Sequence, residues 1–192
     1  MGTVYKCGEI DELDAVTALL RSPARSTLTC IKFGIRASVP RYTGSDYFPE
    51  LQVLHVPSCD EGGADESGDE FLARMLRKCT KLREVGLPEL REGSSDVLDH
   101  MSDRIRSVTC YSSDTQSLAY VARLADLVEL RIGGRAAGHL PLLLPALTRI
   151  QILQLFVDYG SIRIIIDHLR LMENLKFLEL HNVTWSTWSM SL

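Results

Sequence analysis

Seven times along the chain, apolar residues return in the pattern Leu/Ile-x-x-Leu/Ile/Val-x-(apolar or Cys), with first positions at Leu28, Leu51, Leu82, Ile105, Leu127, Ile150 and Leu175. Successive intervals of 23, 31, 23, 22, 23 and 25 residues are too regular for scattered leucines and mark a repeat. Each unit predicts a short strand whose apolar side chains enter a shared core while the intervening residues point the other way. One unit cannot bury its own apolar face. Stacked units can, so a solenoid is expected in which each repeat contacts mainly its neighbours.

Between the predicted strands, Phe71, Leu72, Met75, Leu76 and Cys79 recur at helical spacing, as do Leu118, Val121, Ala122 and Ala125. Each set would lay one apolar stripe on the back of the sheet. Ser94-Ser95-Asp96, Ser112-Ser113-Asp114 and Ser161 are candidate helix caps, and Pro141 suits a first helical turn. The run from Ile162 to Met172 is apolar on so many sides that it is expected to be deeply buried or covered. Residues 1–27 read as a partial leading repeat or N-terminal cap, with a strand at Val4 to Cys7 and an amphipathic helix over 9–21. Residues 28–183 hold the seven repeats. Residues 184–192 form a tail with no helical pattern, carrying Trp185 and Trp188 as exposed candidates. Neither end shows a polar cap, which points to a longer parent chain or to end-to-end association.

The segments Leu127 to Ile132, Ile150 to Leu155 and Leu175 to Leu180 resemble leucine-rich repeats, and the resemblance extends over most of residues 28–183. Leu51 to Cys59 has the longer form L-x-x-L-x-L-x-x-C. Lys78-Cys79-Thr80-Lys81-Leu82 is similar to the cysteine-containing repeats of F-box proteins. The Asn or Cys position after the strand is elsewhere Arg36, Leu90, Ser113, Arg135, Asp158 and Val183, so the side-chain ladder typical of the family is largely absent. The resemblance implies an α/β solenoid with a curved parallel sheet on the concave face and short helices or irregular turns on the convex face. It also implies a non-enzymatic module that binds a protein partner through the concave sheet. The alternative it implies is the substrate-recognition part of an F-box-type ubiquitin ligase adaptor, although no F-box-like helical segment stands in the 27 residues before the first repeat.

Composition narrows this picture. At 192 residues and 45% apolar, the chain suffices for one domain with a sizeable core. A net charge of -4 with no Lys/Arg run argues against nucleic-acid binding. There is no signal segment, and the longest apolar run, Leu140 to Leu147, is too short and proline-broken to span a membrane. Lys6 stands where a myristoylation motif after Met1-Gly2 wants Ser or Thr. The five cysteines, Cys7, Cys30, Cys59, Cys79 and Cys110, form no C-x-x-C pair and read as reduced, buried thiols of an intracellular, cytoplasmic protein. The Asn182-Val183-Thr184 sequon matters only on a secreted route. The long interval contains an acidic insertion at 60–70, with six acids, three glycines and no base. It reads as a solvated loop, in which Ser67, ahead of Asp69 and Glu70, is a candidate regulatory phosphorylation site.

Strand alternation assigns the residues of the concave face. The third positions are Cys30, Val53, Glu84, Ser107, Glu129, Ile152 and Phe177. The fifth positions are Lys32, His55, Gly86, Thr109, Arg131, Gln154 and Glu179. The seventh positions include Tyr111, Phe156 and His181. Ile152, Phe156 and Phe177, with Gln154, Glu179 and His181 around them, form an apolar cluster rimmed by polar groups, the composition of an interaction site. The tail folding back over this cluster is the competing arrangement. Glu129 and Arg131, with Thr109 and Tyr111, form a second strip suited to polar specificity or to pairing with each other.

Catalysis has one candidate, a thiol-imidazole pair of Cys30 and His55 on adjacent predicted strands. No third residue stands out to orient the imidazole, and a flat face lacks an oxyanion pocket. His55 and His181 lie about 24 Å apart at the spacing of neighbouring strands, too far to share a metal. Gly62-Gly63 and Gly133-Gly134 lack the rest of any phosphate-binding motif. No metal and no cofactor are expected.

Overall fold

A computed structural model of the chain describes residues 3–6, 18–19, 21–32, 47–55, 74–87, 104–110, 119, 121–124, 126–132, 147–157, 161–182 and 187–191. Among them, one nine-stranded sheet runs in sequence order. Its strands are β1 (Thr3–Lys6), β2 (Leu28–Lys32), β3 (Val53–His55), β4 (Glu84–Leu87), β5 (Ser107–Cys110), β6 (Glu129–Ile132), β7 (Ile152–Val157), β8 (Phe177–Asn182) and β9 (Thr187–Ser191). From β1 to β8 every strand pairs in parallel with the next. Sequential parallel strands require the chain to return to the same end of the sheet after each one. The result is a parallel-strand, solenoid-like α/β fold.

The apolar pattern accounts for the core. All seven first positions are buried, and so are the fourth positions Ile31, Leu54, Val85, Val108, Leu130, Leu153 and Leu178. They join one continuous cluster that runs the length of the stack. Each such side chain contributes about 1.5–3 kcal/mol by leaving water.

Entry into five of the strands is closed by a recurring turn. The first-position N–H groups of Leu51, Leu82, Leu127, Ile150 and Leu175 donate to the carbonyls of Phe48, Cys79, Leu124, Leu147 and Met172, three residues earlier. All five of those earlier residues are buried. The repeat signature therefore begins three residues before the first leucine, with an apolar side chain that seals the end of the core. Phe48, fully buried, is its largest member. Just inside the turn, one carbonyl in each of five repeats takes two N–H groups from the next. Gln52, Arg83, Arg106, Val128 and Gln151 accept from the pairs Arg83/Glu84, Arg106/Ser107, Val128/Glu129, Gln151/Ile152 and Lys176/Phe177. This backbone ladder holds adjacent repeats in register.

Residues 74–78 are helical, with Met75, Leu76 and Cys79 buried, and Val121 and Ala122 also pack into or against the core. Burial pushes the Cys79 thiol up to about 11, which keeps it protonated at neutral pH. Helix α1 (Ser161–Leu169) starts at the residue expected to cap it. Ile165 is buried and Leu169 packs against the core. Ile166 and Leu171, however, are exposed, Leu171 to 70%. Deep burial therefore does not hold for Ile166 and Leu171: the described part of the run lays one stripe on the core and leaves these two apolar side chains exposed.

The described part of the tail is a strand. It forms β9, antiparallel to β8, with Leu180 opposite Trp188 and Leu178 opposite Met190. Thr187-Trp188-Ser189-Met190-Ser191 alternates polar and apolar residues, a strand pattern rather than a helical one. Only residues 183–186 separate it from β8, too few for a crossover, so the chain can pair there only by reversing. Phe71, Leu72, Leu118, Ala125, the caps at Ser94 and Ser112, Pro141, most of the 9–21 segment, the acidic insertion and all seven positions of the expected Asn/Cys ladder lie outside the described residues.

Candidate open-face site

The side of the sheet facing away from the core carries the third and fifth positions, and strand pairing sets them in the columns the sequence predicts. Cys30, Val53, Glu84, Ser107, Glu129, Ile152 and Phe177 stand in one row from β2 to β8. Lys32, His55, Gly86, Thr109, Arg131, Gln154 and Glu179 stand in the next. Two clusters with different chemistry occupy this face.

The first centres on Glu84. His55 Nε2 lies 2.8 Å from Glu84 Oε1, and Lys32 Nζ and Arg131 Nη1 each lie 3.5 Å from the same oxygen. The hydrogen bond from His55 is the main reason the Glu84 carboxyl falls from 4.5 to about 2, against the opposing effect of burial; the charges of His55, Lys32 and Arg131 add to it. His55 is buried, and its ring can lie over β4 because Gly86 is its register partner. A Cβ at residue 86 would stand 2.7 Å from His55 Cγ and 2.9 Å from its Cβ. Here glycine is required by close approach rather than by backbone conformation.

Arg131 reaches Glu84 from two strands away, about 10 Å across the sheet. It must cross β5, where the register places the small residues Ser107 and Thr109. Its Nη2 also holds Glu129 at 2.5 Å. Ser107 Oγ, Thr109 Oγ1 and Arg131 Nε are buried with no hydrogen-bond partner among the described residues. The strip of Glu129 and Arg131 therefore pairs with itself and with Glu84.

The second cluster lies on β7 and β8, where the structure brings Ile152, Gln154, Phe156, Phe177, Glu179 and His181 together. Ile152 pairs with Phe177, Gln154 with Glu179 and Phe156 with His181. Phe156 and His181 stack with centroids 4.6 Å apart and planes inclined by 15°. Gln154 Nε2 donates to Glu179 Oε2 at 2.7 Å, and His181 Nε2 lies 3.3 Å from Glu179 Oε1. Phe156 is 42% exposed, while Ile152 and Phe177 are half-buried. β9 extends the sheet beyond β8 instead of lying across this face.

Tyr111 and Ser67 lie outside the described residues. Cys30 is buried, at 7% exposed, and its register partner is Val53, whereas His55 pairs with Lys32. The expectation that nothing orients His55 is corrected by Glu84, a residue 29 positions away that the repeat register places on the neighbouring strand. The signal that reveals it is the column pattern: a fifth-position His with glycine opposite it and a third-position acid diagonal to it on the next strand. Among the described residues, no group of three or more His, Cys, Asp or Glu is placed to hold a metal, and no helix is long and apolar enough to cross a membrane.

Comparison with known proteins finds no matching family model, no similar curated protein and no similar solved structure.

Proposed function

We propose that the chain is a non-enzymatic protein-interaction module of the leucine-rich-repeat type, and that its partner docks on the open face over β7 and β8. The observation that carries this reading is the Phe156 cluster, an exposed aromatic ring beside half-buried Ile152 and Phe177, with Gln154, Glu179 and His181 around it. Partly buried aromatic anchors within a polar rim have the composition of binding hot spots. Support for the repeat type comes from the buried first and fourth positions and the sequential parallel strands. Buried Cys79, in the turn before Leu82, favours the cysteine-containing subtype and with it the ligase-adaptor reading. The thiol-enzyme alternative has less support because Cys30 is buried.

Quantitative affinity capture from native extract tests the docking reading, using the wild type, the Phe156→Glu/Phe177→Glu variant and an exposed control, Arg83→Ala. Both substitutions of the double variant place a charge where an apolar anchor would be desolvated, so the partner is expected to be lost from it and retained by the control. Equal capture by all three folded proteins would show that the partner sits elsewhere. Ligase components among the specific partners would select the adaptor reading.

A further inference from the structure

The charges of the open face point to the chemistry of the partner. Among the described residues of this face, Lys32 and Arg131 both lie against Glu84, and Arg131 also holds Glu129. Glu179 has a different environment. It is held by Gln154, which is neutral, and by His181, with no Lys or Arg paired to it among the described residues. A carboxylate with 19% of its side chain accessible thus stands diagonally across the β7–β8 pair from Phe156, whose ring stacks on His181 and is 42% exposed. Diagonal neighbours on paired strands are about 7–8 Å apart, within the span of one long side chain.

We infer that this corner of the sheet receives an arginine or lysine side chain of the partner, with its aliphatic stem or guanidinium plane against the exposed part of the Phe156 ring and its charge on Glu179. The inference rests on the docking reading above and names what that surface selects. A π-face attracts a cation within about 6 Å of its centroid, and the adjacent carboxylate supplies the counter-charge the sheet itself omits. Ile152 and Phe177, one register step away, accommodate an apolar neighbour of the basic residue. An acidic partner side chain would meet Glu179 as a like charge and be rejected.

The experiment is selection from a random peptide library on the full chain, followed by affinity measurement of the enriched peptides on three variants, each verified as folded by circular dichroism. Enriched sequences are expected to carry Arg or Lys at a fixed offset from an apolar residue. They should bind Glu179→Gln at least about tenfold more weakly, the loss of one charge-assisted contact. Phe156→Leu, which keeps the apolar bulk and removes the π-face, should weaken them as well, and Phe156→Glu/Phe177→Glu should not bind them. Peptides that require Phe156 and Phe177 but show no basic preference, or bind Glu179→Gln unchanged, would overturn the inference and leave the docking reading standing. Peptides that bind the double variant as tightly as the wild type, or failure to enrich any sequence, would overturn both.

Discussion

Glu84 on β4 and Glu179 on β8 are withdrawn from solvent to the same degree, with 21% and 19% of their side chains accessible, yet their surroundings differ in kind. Glu84 gathers His55, Lys32 and Arg131 from three other strands onto one oxygen. Among the described residues, Glu179 is paired on its own strand and the adjacent one, through His181 and Gln154. Burial alone therefore does not distinguish a structural carboxylate from one free to meet a partner; the supply of cations does. The centre of the sheet uses its charges internally, tying β2, β3, β4 and β6 together, and leaves the Ser107 and Thr109 hydroxyls of β5 without a hydrogen-bond partner among the described residues. The β7–β8 end leaves Glu179 without a Lys or Arg partner among the described residues, and Phe156 partly exposed.

The largest effect expected from breaking this contrast is at Gly86. The Gly86→Ala methyl would meet His55 Cγ, Cβ and Cα at 2.7, 2.9 and 3.0 Å, atoms too near the backbone to swing aside. His55 must leave Glu84 or the two strands must separate, and either should destabilise the fold by about 3 kcal/mol in urea unfolding. Peptide binding at β7–β8 should be unchanged wherever the variant remains folded. A normal unfolding midpoint would mean that the His55 contact is dispensable.

Next in size is the charge of Glu84 itself. Its folded pKa lies below its ordinary value, so the stabilisation is complete above pH 4.5 and is lost as pH falls towards about 2. With a fifth of the side chain in contact with solvent, the contribution at neutral pH is about 2 kcal/mol rather than the full linkage value. Glu84→Gln imitates the protonated form. The stability gap between wild type and variant should therefore be about 2 kcal/mol at pH 7 and should close as the pH approaches 2. A gap that persisted unchanged in acid would assign the loss to packing instead of charge.

The two regions also differ in how far the sequence discloses them. The β7–β8 cluster is legible because it is built from register pairs: once the first positions Ile150 and Leu175 are aligned, Phe156 must neighbour His181 and Gln154 must neighbour Glu179. The central cluster is less so, because its contacts run diagonally and across two strands. Arg131 reaching Glu84 depends on the small size of Ser107 and Thr109, a property of the surface between them rather than of either partner. Phe48 and its counterparts escape a repeat counted from its first leucine, although an apolar residue three positions earlier recurs in five units. The strand at 187–191 carries a period-two signal that a search for helical spacing passes over. Ile166 and Leu171 show the converse error, since apolar content says how much surface needs covering and only the helical period says which side is covered.

The smallest effect is the most discriminating, because it applies the same chemical change to the second carboxylate. Glu179→Gln removes a charge but strands no Lys or Arg among the described residues, and the new amide oxygen can still accept from Gln154 Nε2. Desolvation that the carboxylate had to offset is relieved at the same time. The change in stability should therefore stay within about 0.5 kcal/mol, the range of ordinary surface substitutions, against about 2 kcal/mol for Glu84→Gln at the same pH. Unfolding the two single variants and their double variant side by side checks this directly, since residues four strands apart with no shared partner should add independently. Equal losses from the two substitutions would place Glu179 in the same structural role as Glu84. A near-silent Glu179→Gln would leave its charge without a use inside the fold, as a carboxylate reserved for a partner requires.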